Sequence, residues 1–261
     1  MAEMLPAQRQ QQIVDRLNAN GQVRVNELAA ALGVSDMTIR RDLTELEARG
    51  TLVKVHGGAT REAAATSLEP GFAAKLQREA VEKFSIAGLA LSMIRPGMAI
   101  ALNSGTTTFA LAERLSGIQD LTVVTNSPRI ADVLWQADNS SQSVILTGGV
   151  RTPSDALVGP LALAGLSQLH VDLCFMGVHG FTLEDGFTTP NMLEAQTNQA
   201  FMACAAQVAV LADHTKWGIT GLSQIAPVSA VDYLLSDAGL PAKALAGLRR
   251  VIDVVQTAPA A

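Results

Sequence analysis

The spacing of apolar residues changes character along this chain. In the first fifty residues they recur at three- and four-residue steps, the mark of helices with one buried stripe. Ile13, Val14 and Leu17 form one stripe, Leu28, Ala29 and Leu32 a second, and Ile39, Leu43 and Leu46 a third. Pro6 suits the first turn of the first helix, where its missing N–H costs nothing. Asn20-Gly21 closes that helix, and Val23 and Val25 fit a short strand. The second helix is expected over 26–32. The third starts from an N-cap at Ser35 and runs to about residue 49, where Gly50 stops it. Residues 51–55 and 59–61, joined through His56-Gly57-Gly58, then fit a two-stranded hairpin.

Further on, continuous apolar runs alternate with helical stripes. Helices are expected over 80–93, 106–115, 127–135, 161–169 and 192–205. Strands are expected over 98–102, 121–125, 143–147, 171–178 and 208–212. Residues 231–236 and 249–255 read as edge strands around a helix near 241–248. This alternation predicts a layered α/β domain with a largely parallel sheet. Between the two regions, 62–75 is alanine-rich with Pro70-Gly71 and reads as a partly helical connector. The expected organisation is therefore 1–61, a linker at 62–75, and 76–261.

Ala29, Gly33 and Ile39 have the sizes that a helix-turn-helix requires. Two helices approach closely at the alanine, and the turn takes a positive φ at the glycine. In such a unit the third helix enters the major groove. Ser35, Asp36, Met37, Thr38 and Arg41 are then candidates for base edges and nearby phosphates, with Arg40 beside them. On the hairpin, or wing, Lys54, His56 and Arg61 are candidates for phosphate or the minor groove. A small bundle with a solvated charged face is the alternative; the capped third helix, Arg40-Arg41 and the Gly-Gly hairpin favour the winged helix-turn-helix.

Charge changes this picture only after the chain is divided. The net charge of −5 argues weakly against nucleic acid as a partner. Residues 1–61, however, carry 8 basic and 7 acidic side chains, against 11 and 17 in the remainder. The acidic excess belongs to the second region. At 48% hydrophobic and 16% charged, the chain can build ordinary cores. No apolar run is long enough to span a bilayer, and the polar stretch 8–12 does not suit a signal peptide. Cys174 and Cys204 are expected reduced and buried, and the protein cytoplasmic.

Ligands of open α/β sheets bind beyond the carboxyl ends of the strands. There, Asn103-Ser104-Gly105-Thr106-Thr107 opens a helix and suits either a phosphate or a tight capped turn. Asn126 either bonds a sugar hydroxyl or caps a helix. Gly148-Gly149 reads as a turn and Asp172, at the wrong end of its strand, as structural. His179 lies where ligands are expected, yet a lone histidine is more often an ordinary loop residue. Residues 186–189 precede a helix bearing Glu194 and suit a loop that closes over a ligand. Lys216 is a cationic partner for phosphate or carboxylate, or a surface lysine. No metal-ligand spacing or Ser-His-Asp elbow is present, and nothing calls for a cofactor.

The motifs carry a resemblance. Residues 22–60 resemble the N-terminal domain of the DeoR family of bacterial regulators. Val34-Ser35-Asp36-Met37-Thr38-Ile39-Arg40-Arg41-Asp42-Leu43 matches the family's recognition helix, and Val55-His56-Gly57-Gly58-Ala59 its wing. Ser104-Gly105-Thr106-Thr107 matches the phosphate loop of its sensor domain. Thr125-Asn126, Gly148-Gly149, Gly159, Asp172, Gly186 and the stretch 213–216 match further positions, so the similarity covers 5–236. It implies a winged helix-turn-helix followed by a layered α/β domain resembling ribose-5-phosphate isomerase. It also implies a non-enzymatic repressor of a carbohydrate-catabolism operon, working on double-stranded operator DNA and relieved by a phosphorylated sugar. A homo-oligomer, dimer or tetramer, would supply the paired recognition helices. Two positions depart from the family's pattern: Asn103 replaces a usual acidic residue, and Asn198 a frequent lysine. A sugar-phosphate isomerase carrying an accessory DNA-binding module is the alternative; it needs a carboxylate base, and Asn103 argues against one. The residues leave activation, or a ligand-free role on DNA, open beside repression.

Overall fold

The computed structural model describes residues 5–20, 22–48, 51–55, 57–60, 71–137 and 139–259. The chain divides into two units, 1–65 and 66–261. Gly21, Arg49, Gly50, His56, Arg61 and the connector 62–70 lie outside the described residues.

The first unit contains α1 (Pro6–Asn20), β1 (Gln22–Arg24), α2 (Val25–Leu32), α3 (Asp36–Ala48), β2 (Val53–Val55) and β3 (Gly58–Thr60). Ile13, Leu17, Leu28, Ile39, Leu43 and Leu46 meet in one core with Leu52 and Ala59. Gly33 ends α2 at φ +66° and returns its N–H to the Ala29 carbonyl. Ser35 Oγ accepts the Thr38 N–H at 3.2 Å, capping α3. The wing has three strands rather than two, in the order β1-β3-β2. Gly58 makes the third strand possible: a Cβ there would sit 2.0 Å from the Val23 carbonyl oxygen.

One polar contact crosses this core. Asp42, on α3, accepts from Arg9 Nε at 2.5 Å and Nη2 at 3.1 Å, both on α1. Gln10 Nε2 adds a bond of 3.3 Å. All three side chains are buried.

The second unit opens with α4 (Phe72–Leu76) and α5 (Ala80–Leu91), followed by β4 (Ala99–Leu102), α6 (Thr106–Ala112), β5 (Thr122–Thr125), α7 (Pro128–Gln136) and β6 (Ser143–Leu146). It continues with β7 (Val150–Arg151), β8 (Leu157–Val158), α8 (Pro160–Leu166), β9 (Val171–Gly177), β10 (Gly180–Thr182) and β11 (Gly186–Thr189). Then come α9 (Met192–Ala203), β12 (Ala205–Leu211), β13 (Ser223–Ala226), β14 (Tyr233–Ser236), α10 (Ala242–Leu248) and β15 (Val254–Thr257). Seven strands form a parallel sheet in the order β15-β14-β12-β9-β4-β5-β6.

The inner strands of this sheet are buried on both faces, which explains their continuous apolar runs. Ile100, Leu102, Leu173, Phe175 and Leu211 pack under Ile86, Leu111 and Ile130 of α5, α6 and α7. Their strand neighbours Ala101, Cys174, Met176 and Val210 face the other way, against Leu166, Phe201 and Leu248 of α8, α9 and α10. Cys174 and Cys204 are buried and unbridged.

Four expectations change in this unit. The strand expected over 249–255 begins only at Val254, as β15, after a turn that closes α10. Strand 231–236 is interior as β14, because β15 pairs along its outer side. The turn at Gly148-Gly149 leads into an unexpected hairpin, β7–β8. Residues 186–189 do not form a closing loop. They are strand β11, buried between β10 and β13 in a small antiparallel sheet. The Phe181 ring packs there against Phe187, tilted by 35° at a centroid distance of 5.7 Å, and against Trp217 edge to face at 5.4 Å.

Breaking a buried ion pair costs several kcal/mol. Asp42→Ala is expected to destabilise the first unit by about 3 kcal/mol, read as lost amide protection in α1 and α3 at a fixed denaturant concentration. Unchanged protection would contradict the role given to this pair.

Candidate functional site

The exposed side of α3 is the first candidate surface. At about 100° per residue, Ile39, Leu43 and Leu46 share the inward face, which sets Met37, Arg40, Arg41 and Thr44 on the opposite one. Ser35, Asp36, Met37, Arg40 and Arg41 are exposed, and Thr38 is half-buried with its hydroxyl 2.9 Å from Ser35 Oγ. Among the described residues Arg41 has only a loose partner, Glu45, at 3.6 Å. Such a solvated pair contributes little, so the guanidinium is available to another anion. Lys54, on β2, turns back to α3, donating to Thr44 Oγ1 at 2.9 Å with Glu47 at 3.9 Å. A groove of about 610 Å³, bordered by Met37, Arg40, Arg41 and Thr44, runs along this face. His56 and Arg61 are outside the described residues.

The second candidate is a crevice in the parallel sheet. From β4 the chain proceeds outward to β5 and β6, then returns to β9 on the other side of β4. Strand order reverses between β4 and β9, and the loops beyond such a switch point diverge to leave a crevice.

Buried asparagines hold its floor. Asn103 is 2% exposed. Its Nδ2 donates to the Gly177 carbonyl at 2.9 Å and its Oδ1 accepts the Gly177 N–H at 2.8 Å. Nδ2 also donates to Asn198 Oδ1 at 3.0 Å, so the two departures from the family's pattern are partners. Asn126 accepts the Ser104 N–H at 2.8 Å and donates to the Leu157 carbonyl at 3.0 Å. Both amides are thus committed to the scaffold. Above them, Gly105 begins α6 in ordinary extended conformation at φ −177°, with no side chain capping the helix. Thr106 and Thr107 occupy its first turn, where amide N–H groups lack helical partners.

The β7–β8 hairpin borders the same loop, its Ser154 carbonyl accepting from Ser104 Oγ at 3.1 Å. Thr152 donates to Glu194 Oε1 at 2.6 Å, and Ser154 donates to the same oxygen. Asp155, at φ +62°, bridges Arg129 and Arg151. Burial would raise its pKa, but hydrogen bonds from Arg151 and Arg129 prevail and hold it below the usual carboxylate range. The Arg129 guanidinium lies 4.7 Å above the Phe72 ring. The sequence pointed to Ser104 and Glu194 but not to Arg129, Arg151, Thr152, Ser154 or Asp155; the one visible signal for these was the run of turn residues after Gly148-Gly149.

On the β9 and β12 side stand His179 and Lys216, both half-buried. Burial first, then Lys216 and Lys75, push His179 down to about 4, so its imidazole is neutral at pH 7. Lys83 is buried, donating to the Lys75 carbonyl at 2.8 Å and to that of Arg78. Burial lowers its pKa against the pull of Asp213. Asp213 Oδ1 accepts from the Thr215 backbone at 3.0 Å, while Oδ2 is buried with no hydrogen-bond partner among the described residues. His214 Nδ1 lies 2.7 Å from Asp237 Oδ2. This pair borders a cavity of about 380 Å³ with Glu82, Ser85 and Gly239. Among the described residues, no group of His, Cys, Asp and Glu is arranged to hold a metal ion. No helix among them is long and apolar enough to cross a membrane.

Comparison with known proteins matches both units. The DeoR-like helix-turn-helix domain matches residues 9–64, and the DeoR C terminal sensor domain residues 78–238. A putative aga operon transcriptional repressor of Escherichia coli O157:H7 is 35% identical over 95% of this chain and 93% of its own length. The transcriptional regulator GolR of Listeria innocua is 37% identical, covering 90% of this chain and 91% of its own. The lactose phosphotransferase system repressor of Staphylococcus epidermidis is 35% identical over 87% and 90%. Among solved structures, a D-ribose-5-phosphate isomerase in complex with phospho-erythronic acid aligns with TM-score 0.39 at 18% identity, covering 52% of each chain.

The His214–Asp237 pair makes stability depend on pH. The hydrogen bond to Asp237 outweighs burial and raises His214 above its ordinary 6.5. Its contribution is therefore full below pH 6.5 and declines as pH rises through the folded value. Burial would raise Asp237 above 3.8, but the bonds from His214 and the Gly239 N–H lower it, so its contribution falls away in acid. His214→Gln is expected to cost roughly 1.5–3 kcal/mol at pH 6, with the gap from wild type narrowing towards pH 9. A constant gap in unfolding midpoint across that range would contradict the assignment.

Proposed function

The chain belongs to the DeoR family of helix-turn-helix transcriptional regulators, and we propose that it represses a carbohydrate-catabolism operon and is released by a phosphorylated sugar. The observation that carries this reading is the outward face of α3, where Arg40 and Arg41 flank Met37 on a helix anchored by Asp42. Ser35, Asp36, Met37, Thr38 and Arg41 approach base edges and phosphates in the major groove, with Arg40 on the backbone. Lys54, His56 and Arg61 hold the wing to phosphate or the minor groove.

The effector occupies the crevice between β4 and β9. Ser104, Gly105, Thr106 and Thr107 receive its phosphate, and Lys216 and neutral His179 approach it from the other side. Asn103 and Asn126 set the floor rather than contacting the sugar through free groups, and Glu194 holds the β7–β8 hairpin beside it. Two recognition helices are needed to read a symmetric operator, so a homo-oligomer is the working form, in the cytoplasm. The isomerase reading is disfavoured because the relatives matched over nine-tenths of this chain are regulators, and because Asn103 offers an amide, not a carboxylate base.

Two variants separate the units. Arg41→Ala is expected to weaken operator binding about tenfold at fixed salt and flatten its salt dependence by about one phosphate contact, with the fold intact. Unchanged affinity would remove Arg41 from the interface. In thermal-shift screening, a sugar phosphate at about 100 times its dissociation constant should stabilise the wild type by about 2.7 kcal/mol. Lys216→Ala should lose that response while keeping operator affinity; an equal response would remove Lys216 from the pocket.

A further inference from the structure

We propose that Met37 reads the 5-methyl group of a thymine in each half-site of the operator. The inference rests on the reading of α3 as the recognition helix. Every other large apolar side chain of α3, namely Ile39, Leu43 and Leu46, is buried in the core. Met37 is 77% exposed.

Its position selects a base edge rather than the backbone. Met37 is the second residue of α3, at the end of a recognition helix that reaches deepest into the major groove. Arg40 and Arg41, three and four residues on, lie to either side of it on the same face. Both are exposed and long enough to take phosphates or guanine edges, which leaves the methionine between them facing the floor of the groove. The closest polar alternative, Thr38, has its hydroxyl and its backbone N–H both tied to Ser35.

The chemistry then chooses the base. Among the major-groove edges only thymine presents an apolar group; the others present donors and acceptors alone. A thioether makes no useful bond to those groups, and placed over them it would strip their water without replacing it. Against a methyl group it removes apolar surface from water on both sides. The unbranched, flexible side chain of methionine tolerates small shifts in how the helix is seated. Met37 is therefore a specificity residue that contributes through shape and burial, beside arginines that contribute through charge.

The test uses the full-length chain and DNA duplexes enriched by it from a random library. Each thymine of the enriched half-site is replaced in turn by deoxyuridine, which removes the methyl and keeps the base pairing. One position should weaken wild-type binding about fourfold, the effect of one buried methyl. Met37→Ala should bind the thymine and uracil duplexes equally at that position and respond as wild type does elsewhere. If no uracil substitution distinguishes the variant from wild type, Met37 does not read thymine, and the DNA-binding reading stands without it. If no duplex is enriched at all, that reading falls, and this inference with it.

Discussion

The larger unit depends on the side-chain amide of Asn103. Where strand order reverses, β4 and β9 run side by side but their loops part, leaving backbone groups at the strand ends without sheet partners. Asn103 satisfies the Gly177 N–H and carbonyl together and reaches Asn198 on α9. It thereby ties the loop after β4 to the end of β9 and to α9. Asn126 does the same one strand away, joining the Ser104 loop to β8. In the proposed effector site these bonds would supply a polar floor already in place, which reduces the ordering cost of binding. The two amides make a neutral joint at a buried position, where an unpaired charge would be costly.

The smaller unit solves a related problem with a charge pair. Its recognition helix must be held at a fixed angle by a core built from few side chains. Apolar contact alone permits sliding. The Arg9–Asp42 contact couples α1 to α3 at one register, and Gly58 brings the β1 backbone against the wing. Both units thus combine apolar cores, which supply stability, with a few buried polar contacts that specify position.

Much of this was legible in the sequence. Helices α1 to α3 announce themselves through period and cap, and β4, β9 and β12 through runs buried on both faces. The turn from β4 into α6 is visible because glycine and hydroxyl residues cluster after a strand. Other features were hidden for physical reasons. Strands β7 and β8 are two residues long, too short to show a period. Strand β11 pairs with β13, far along the chain, so residues 186–189 resemble a loop when read alone. Whether 231–236 lies inside the sheet depends on where β15 docks. An asparagine at a strand end reads the same whether its amide faces a ligand or a neighbouring backbone, so the scaffold roles of Asn103 and Asn126 required the fold. Asp42, in the polar run Arg40-Arg41-Asp42, gave no sign that it was buried.

In the proposed function, sensor and DNA-binding unit share a coupling free energy. Coupling between binding sites is reciprocal. The most direct test is calorimetric: the affinity of the full-length chain for a responding sugar phosphate, measured free and saturated with operator duplex. Sugar-phosphate binding is expected to be weaker on DNA, by the same factor by which the sugar phosphate weakens operator binding. Equal affinity in the two states would contradict it, leaving a DNA-binding unit and a sugar-phosphate site that share a chain without communicating.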